Sequence, residues 1–182
     1  MGEGELELIR RSLNGEIEAW GEIVRRYKEA VFGVAMGILG NAADAEDASH
    51  DAFIRAYDNL RRYDLSRRFS TWLFAITVNL CKNKLRRERF FAPLRHASRI
   101  AANSNPAEEV AKEELWLKVR EALNDLSLKY RTPLVLRFYS DMDYKDIAQA
   151  LDLPEGTVKT RLHRGKLELK RILERKGVKG YA

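Results

Sequence analysis

Few side chains in this sequence can carry covalent chemistry. The histidines are His50, His96 and His163, and the one cysteine is Cys81. His50 precedes Asp51 and follows Asp44 and Asp47, a grouping from which a His-Asp metal site can start. A metal-dependent hydrolase needs further histidine ligands, and the other two stand in unrelated stretches. The metal reading is therefore set aside. One cysteine excludes both an intramolecular disulfide framework and a Cys-cluster zinc site, and Cys81 reads as a small apolar helix residue. Gly165-Lys166 has the look of a phosphate-binding loop, but that motif needs G-x-x-x-x-G-K-[ST] after a strand. Here the preceding glycine is Gly156, nine residues back, and Leu167 follows the lysine. The residues imply no catalysis, no metal, no cofactor and no small-molecule substrate.

What remains is recognition by charge, hydrogen bonding and ring stacking. In residues 143–173, Ile147, Ala148 and Leu151 form one apolar helical face, with Asp143 ahead of them as a candidate N-cap. Residues 152–156 make a turn, after which Pro154 suits the opening of a helix and Glu155 the positive end of its dipole. Along that second helix Val158, Leu162, Leu169 and Leu173 hold one side, while Lys159, Arg161, Arg164, Lys166, Lys170 and Arg171 mostly occupy the others. This is the pattern of a helix-turn-helix, whose second helix enters the DNA major groove. Residues 154–182 carry nine Lys and Arg against three Glu, a net +6, which equals the formal net charge of the whole chain. Such a balance permits nucleic-acid binding without proving it.

A second basic stretch lies upstream. Residues 71–80 are largely apolar, and Lys82, Lys84, Arg86, Arg87 and Arg89 follow. Phe69, Trp72 and Phe74 stand beside Arg67, Arg68 and those cations, and stacking faces interleaved with positive charge suit single-stranded nucleic acid. Core packing is the competing account of Trp72, Phe74 and Ile76. Further upstream, Asp44, Asp47 and Asp51 at i, i+3, i+7 put three carboxylates on one helical face, with Glu46 and Asp58 nearby and Ala45, Ala48, Ala52, Phe53, Ala56 and Leu60 opposite. Like charges so placed repel by roughly 0.2–0.5 kcal/mol per pair. A solvated acidic face and a docking surface for a basic partner both remain open.

The elements that must position these residues are helical throughout, because apolar residues recur in threes and fours and do not alternate. The periodicity predicts a short helix over 6–13, a long one over 17–39 ending at Gly40-Asn41, one over 41–60, a polar loop over 61–70, and a helix over 71–89 capped by Ser70 or Thr71. Residues 90–111, with Pro93, Pro106, Ser and Asn, read as a linker. Beyond it come a helix over 113–126, a turn over 127–130, a helix opened by Pro133, and the helix-turn-helix. The expected fold is all-α: two small helical domains, 1–90 and 112–182, joined by a flexible linker over 91–111. The apolar run over 31–39 is too short to span a membrane, and a reducing cytoplasm is the natural compartment.

Three blocks together, DAEDASHDAFIRAY, FSTWLFAITVNLCKNKLRR and DYKDIAQALDLPEGTVKTRLHRGKLELKRIL, resemble the extracytoplasmic-function (ECF) group of bacterial sigma factors in the sigma-70 superfamily. They occur in the same order, over about 17–173, with a linker where that family has one. The resemblance implies a promoter-specificity subunit of RNA polymerase that performs no chemistry itself. By it, Asp44, Glu46, Asp47 and Asp51 correspond to the region that docks on the clamp helices of the polymerase β′ subunit. Residues 63–87 correspond to the regions that capture the unpaired minus-10 strand. Asn79, Lys82, Asn83, Lys84 and Arg87 become DNA contacts, Phe69 and the loop before it line a pocket for a flipped base, and Trp72 is scaffold.

In the second domain the resemblance matches Lys159, Thr160, Arg161, His163 and Arg164 to positions that meet the minus-35 duplex, where Arg or Lys pairs with guanine O6 and N7. Thr157 and Arg137 are expected at phosphates. Lys166, Lys170 and Arg171 lie farther from the helix N-terminus and are expected at phosphate or in solvent. The implied partners are core RNA polymerase, through its β′ clamp and β subunit, promoter DNA, and an anti-sigma factor, with the chain monomeric when free. A stand-alone regulator with this helix-turn-helix would instead dimerise over two half-sites, and the basic aromatic run 69–89 argues against it.

Overall fold

The computed structural model describes residues 3–91 and 107–178, and among these every regular element is helical. The first unit holds α1 (Glu3–Leu13), α2 (Ile17–Leu39), α3 (Ala42–Asp58) and α4 (Phe69–Phe91), with a single 3-10 turn at Leu60–Arg62. The second holds α5 (Ala107–Asp125), α6 (Leu128–Tyr139), α7 (Tyr144–Leu151) and α8 (Glu155–Arg175).

Local chemistry sets most of the boundaries. Helix α2 stops at Gly40, whose φ of 82° lets its N–H turn back onto the Met36 carbonyl. Asn41 then caps α3 by accepting from the Asp44 N–H at 2.8 Å. Asp143 does the same for α7, accepting from the Asp146 N–H at 2.7 Å, and Asp152 at φ 52° closes it. Three boundaries differ from the sequence expectation. Helix α4 starts two residues early, because the Phe69 ring is wholly enclosed in the first unit and draws its backbone into the helix. Helix α5 starts at Ala107, inside the stretch read as linker; residues 92–106, with Pro93, His96 and Pro106, lie outside the described residues. Helix α6 absorbs the turn expected at 127–130, so Pro133 sits inside it and does not open it. The ring leaves the Lys129 carbonyl without its usual N–H donor.

The first unit packs α2, α3 and α4 around Ile23, Val31, Ala52, Phe69, Leu73 and Val78, with Ile9 of α1 closing one side. The second packs α6, α7 and α8 around Leu134, Leu136, Ile147, Val158 and Leu162. The two units touch along α2 against α5 and α6, and along α4 against α7, so the buried apolar residues form one continuous cluster.

Candidate nucleic-acid interface

Helix α8 is held from beneath and open above. Val158, Leu162, Gly165 and Ile172 are buried, and Gly165 lies so close to α6 that a Cβ there would stand 3.0 Å from Leu134 Cδ1. The helix starts at Pro154, whose carbonyl accepts from Thr157 and Val158. With the apolar stripe pinned, Lys159, Thr160, His163 and Arg164 face solvent near the helix N-terminus, while Thr157 and Arg161 are half-buried. Lys159 pairs with Glu155 at 2.9 Å, which raises its ammonium above the ordinary value, and it also stands 5.8 Å from the Tyr144 ring. Thr160 donates to the Gly156 carbonyl at 2.9 Å, so its oxygen keeps its acceptor capacity for a partner. Lys166, Lys170 and Arg171 are exposed farther along, with Lys166 over the Phe138 ring at 5.6 Å. Arg137 donates instead to the Met142 carbonyl at 2.8 Å, holding the turn before α7.

The cations of α4 divide into two sets. Asn79, Asn83 and Arg87, spaced i, i+4, i+8, share one face with Lys82 beside them. Asn79 and Arg87 are exposed, and Lys82 and Asn83 are half-buried. Burial, then the guanidinium of Arg161, push the Lys82 ammonium below its ordinary value. Lys84 turns the other way, towards α3, where it pairs with Asp44 and, at 3.1 Å, with Asp47. That placement separates it from the other four residues expected on the DNA face.

Phe69 also departs from expectation. It has no exposed surface and is ringed by Trp20, Tyr27, Tyr63 and Trp72 at centroid distances of 5.5–6.4 Å. Its neighbours leave no face for a base, so it supports the loop before α4 without lining a pocket. Tyr63, 7% exposed, donates to the Arg67 carbonyl and fixes the other end of that loop. Phe74 is core as well, and Trp72 is half-buried against the cluster. The loop itself presents Leu65, Ser66, Arg67 and Arg68 to solvent. Asp64 accepts from the Ser66 N–H at 2.9 Å and hydroxyl at 2.7 Å, which holds its carboxyl below the usual range.

On α3, Glu46, Asp47 and Asp51 are exposed, while Asp44 is partly enclosed by Asn41 and Lys84. His50 is exposed, and no group of three or more metal-ligating side chains exists among the described residues. Cys81 is fully buried, and burial pushes its thiol up to about 12. No described helix is long and apolar enough to cross a membrane.

Residues 23–91 match the Sigma-70 region 2 family, and residues 116–169 match Sigma-70, region 4. The ECF RNA polymerase sigma factor SigW of Bacillus subtilis is 34% identical over 91% of this chain and 94% of its own length. The chain belongs to the ECF sigma factors. It is therefore an RNA polymerase sigma factor that directs promoter recognition, not an enzyme and not a stand-alone regulator. CnrH, solved in complex with the cytosolic domain of CnrY, superposes with a TM-score of 0.74 over 94% of this chain and 98% of its own, at 24% identity. RpoE of Bartonella quintana, solved with the anti-sigma factor NepR, gives 0.70 over 85% of this chain and 96% of its own, at 22% identity. Both share its fold. As sigma factors do, it binds core RNA polymerase and promoter DNA.

Two polar contacts between the two units left no trace in the sequence pattern. Arg68, before α4, pairs with Asp146 of α7 at 2.8 Å, and Arg131 of α6 donates to the Ile38 carbonyl of α2 at 2.8 Å. The partners stand 78 and 93 residues apart. No helical periodicity reports on pairs so distant.

Proposed function

We propose that this sigma factor uses three surfaces in turn. Glu46, Asp47 and Asp51 of α3, with Asp44 behind them, dock on a basic surface of the polymerase β′ clamp. The α4 face of Asn79, Lys82, Asn83 and Arg87, with the loop over 64–68, holds the unpaired minus-10 strand. The N-terminal half of α8 enters the minus-35 major groove, where Lys159, Arg161, His163 and Arg164 reach base edges, Thr157 and Thr160 meet the backbone, and Lys166, Lys170 and Arg171 neutralise phosphates. The second unit rests on the polymerase β subunit. The factor is a monomer when free, works in the cytoplasm beside its polymerase, and is restrained by an anti-sigma factor, as RpoE and NepR are found together.

The observation that carries this reading is the exposure of Lys159, Thr160, His163 and Arg164 above an α8 whose Val158 and Leu162 are buried. A helix pinned on one side and cationic on the other has the shape that fills a major groove. Strand opening then draws on captured bases, each stacking contact contributing about 1–3 kcal/mol.

The test is binding of a fork-junction promoter, double-stranded at minus-35 and single-stranded at minus-10, by core polymerase with and without the chain. Tight, sequence-dependent binding only when the chain is present is expected. Equal binding of promoter and scrambled DNA contradicts it.

A further inference from the structure

The first turn of α8 carries two features that packing within the chain does not call for. Glu155, its first residue, pairs with Lys159 one turn on, at 2.9 Å between Oε1 and Nζ. Acid before base at i and i+4 is the favourable order on a helix. The Tyr144 ring stands 5.8 Å from the same ammonium, so Lys159 is restrained from two sides while both members of the pair stay about half exposed. Gly156 follows Glu155. It is exposed, its φ lies outside the left-handed region, and a Cβ added there would meet nothing within 4 Å. Alanine is the better helix former, so neither backbone conformation nor packing requires this glycine. Gly165, farther along, differs, because its Cβ would press on Leu134. A glycine with no internal reason leaves room for a partner to approach the backbone closely.

A carboxylate at the DNA-facing end of a recognition helix stands among phosphates, and that repulsion must be offset by a hydrogen bond from a base. In the major groove the donors are cytosine N4 and adenine N6. Adenine N6 lies between two acceptors, N7 and thymine O4, which repel a carboxylate placed beside them. In a C·G pair, cytosine N4 adjoins guanine O6 and N7, two acceptors suited to an ammonium. The spacing also matches. Cytosine N4 donates to guanine O6 within the base pair, so those atoms lie at ordinary hydrogen-bond distance, about 2.9 Å. Lys159 Nζ and Glu155 Oε1 are likewise 2.9 Å apart. Laid edge to edge, the ammonium faces O6 and the carboxylate faces the N4 hydrogen that points into the groove.

We propose that Glu155 and Lys159 act as one reading unit for a single C·G base pair of the minus-35 element. Glu155 accepts from cytosine N4, Lys159 donates to guanine O6, and Gly156 admits the duplex to that depth. The proposal rests on the assignment of α8 to the minus-35 duplex and adds Glu155 to it as a specificity-determining residue. Because the pair is formed before DNA arrives, little side-chain order has to be gained on binding. Because it is neutral as a unit, it adds base preference without the salt dependence of a phosphate contact.

The test is selection by holoenzyme, core polymerase with the full chain, from fork-junction promoters whose minus-35 duplex is randomised, with the bound fraction sequenced. The parent should prefer C·G at one position by about tenfold or more, and Glu155→Ala and Lys159→Ala should each cut that preference to about twofold or less while other positions keep theirs. The ratio of sequences bound by one variant does not depend on how much of it folds. Glu155→Gln should move the preference towards A·T, since a carboxamide pairs with adenine N6 and N7. Gly156→Ala should keep or raise Tm and weaken binding of the selected duplex severalfold. A C·G preference that survives Glu155→Ala, a uniform gain over all sequences on removing the carboxylate, or full affinity in Gly156→Ala overturns the proposal and leaves the α8 assignment standing. A parent with no preference at any minus-35 position overturns that assignment as well.

Discussion

Lys84 of α4 reaches across 3.1 Å to Asp47 of α3, so the helix assigned to promoter DNA is tied to the helix assigned to the polymerase. Asp47 is largely exposed and Lys84 mostly enclosed, which leaves the carboxylate open to a second cation on its outer side. A basic polymerase surface must share Asp47 with Lys84 or take it over.

Lys84→Ala should therefore leave stability within about 1 kcal/mol of the parent, as expected for a partly exposed pair. It should strengthen core binding at low salt and lose the gain as salt rises. Fluorescence titration of core polymerase over a salt series checks both. If the substitution weakens minus-10 strand binding and leaves core affinity alone, Lys84 is a DNA contact after all.

Asp51 is exposed, and no ion pair involves it among the described residues. Asp51→Lys should weaken core binding about tenfold or more, the equivalent of about 1.4 kcal/mol. Binding of an isolated minus-35 duplex should not change. Unaltered core affinity would mean that the acidic face is merely solvated.

Phe69 distinguishes scaffold from pocket. If the ring is core, Phe69→Ala should cost about 3–5 kcal/mol of stability, visible as a large drop in Tm by circular dichroism. A pocket-lining ring would leave Tm nearly unchanged and lower only the affinity for the single strand.

This residue also shows where the sequence could and could not be read. Phe69, Trp72 and Phe74 alternate with cations, and that pattern serves a stacking platform and a helix packed on a core equally well. Only the rings of Trp20 and Tyr27, supplied by a distant part of the chain, together with that of Tyr63 across the loop, decide for the core. Helix α8 was legible because its period-of-four stripe and its charges fall on opposite sides, and Asp143 and Asn41 were legible because capping is local. Pro133 misled, since a proline marks the first turn of a helix more often than its middle, and here it stands inside α6. Lys84 follows Asn83 directly, and one step along a helix turns the side chain about 100° away, which here brings it to Asp44 and Asp47 of α3.

On α8, base readout and phosphate contact should separate by mutation. Arg161→Ala should lose about 1–3 kcal/mol of preference at one base pair of the minus-35 element. Lys170→Ala should weaken all sequences alike and lower the salt slope of binding by about one. Anisotropy titrations against single-base variants of the duplex measure both. A uniform loss for Arg161→Ala would place that guanidinium on phosphate.

Two buried acids should resist alkali. Burial holds the Cys81 thiol near 12 against an unfolded value of 9.0, and the Tyr63 phenol near 12 against 10.0. Each folded value is raised, so the folded state keeps the proton longer than the unfolded chain does. Stability from these groups is full below about pH 9 and is lost as pH rises towards 12. Native protein at pH 8.5 should accordingly leave Cys81 unlabelled by iodoacetamide, with labelling appearing only in denaturant. Rapid native labelling would show an accessible thiolate.

The central claim is that this chain gives core polymerase its promoter. Run-off transcription with purified core on a pool of genomic fragments measures that directly. The account predicts discrete transcripts that appear only when the chain is added and that weaken with Asp51→Lys at limiting chain concentration. Lack of any chain-dependent transcript across the pool would contradict it.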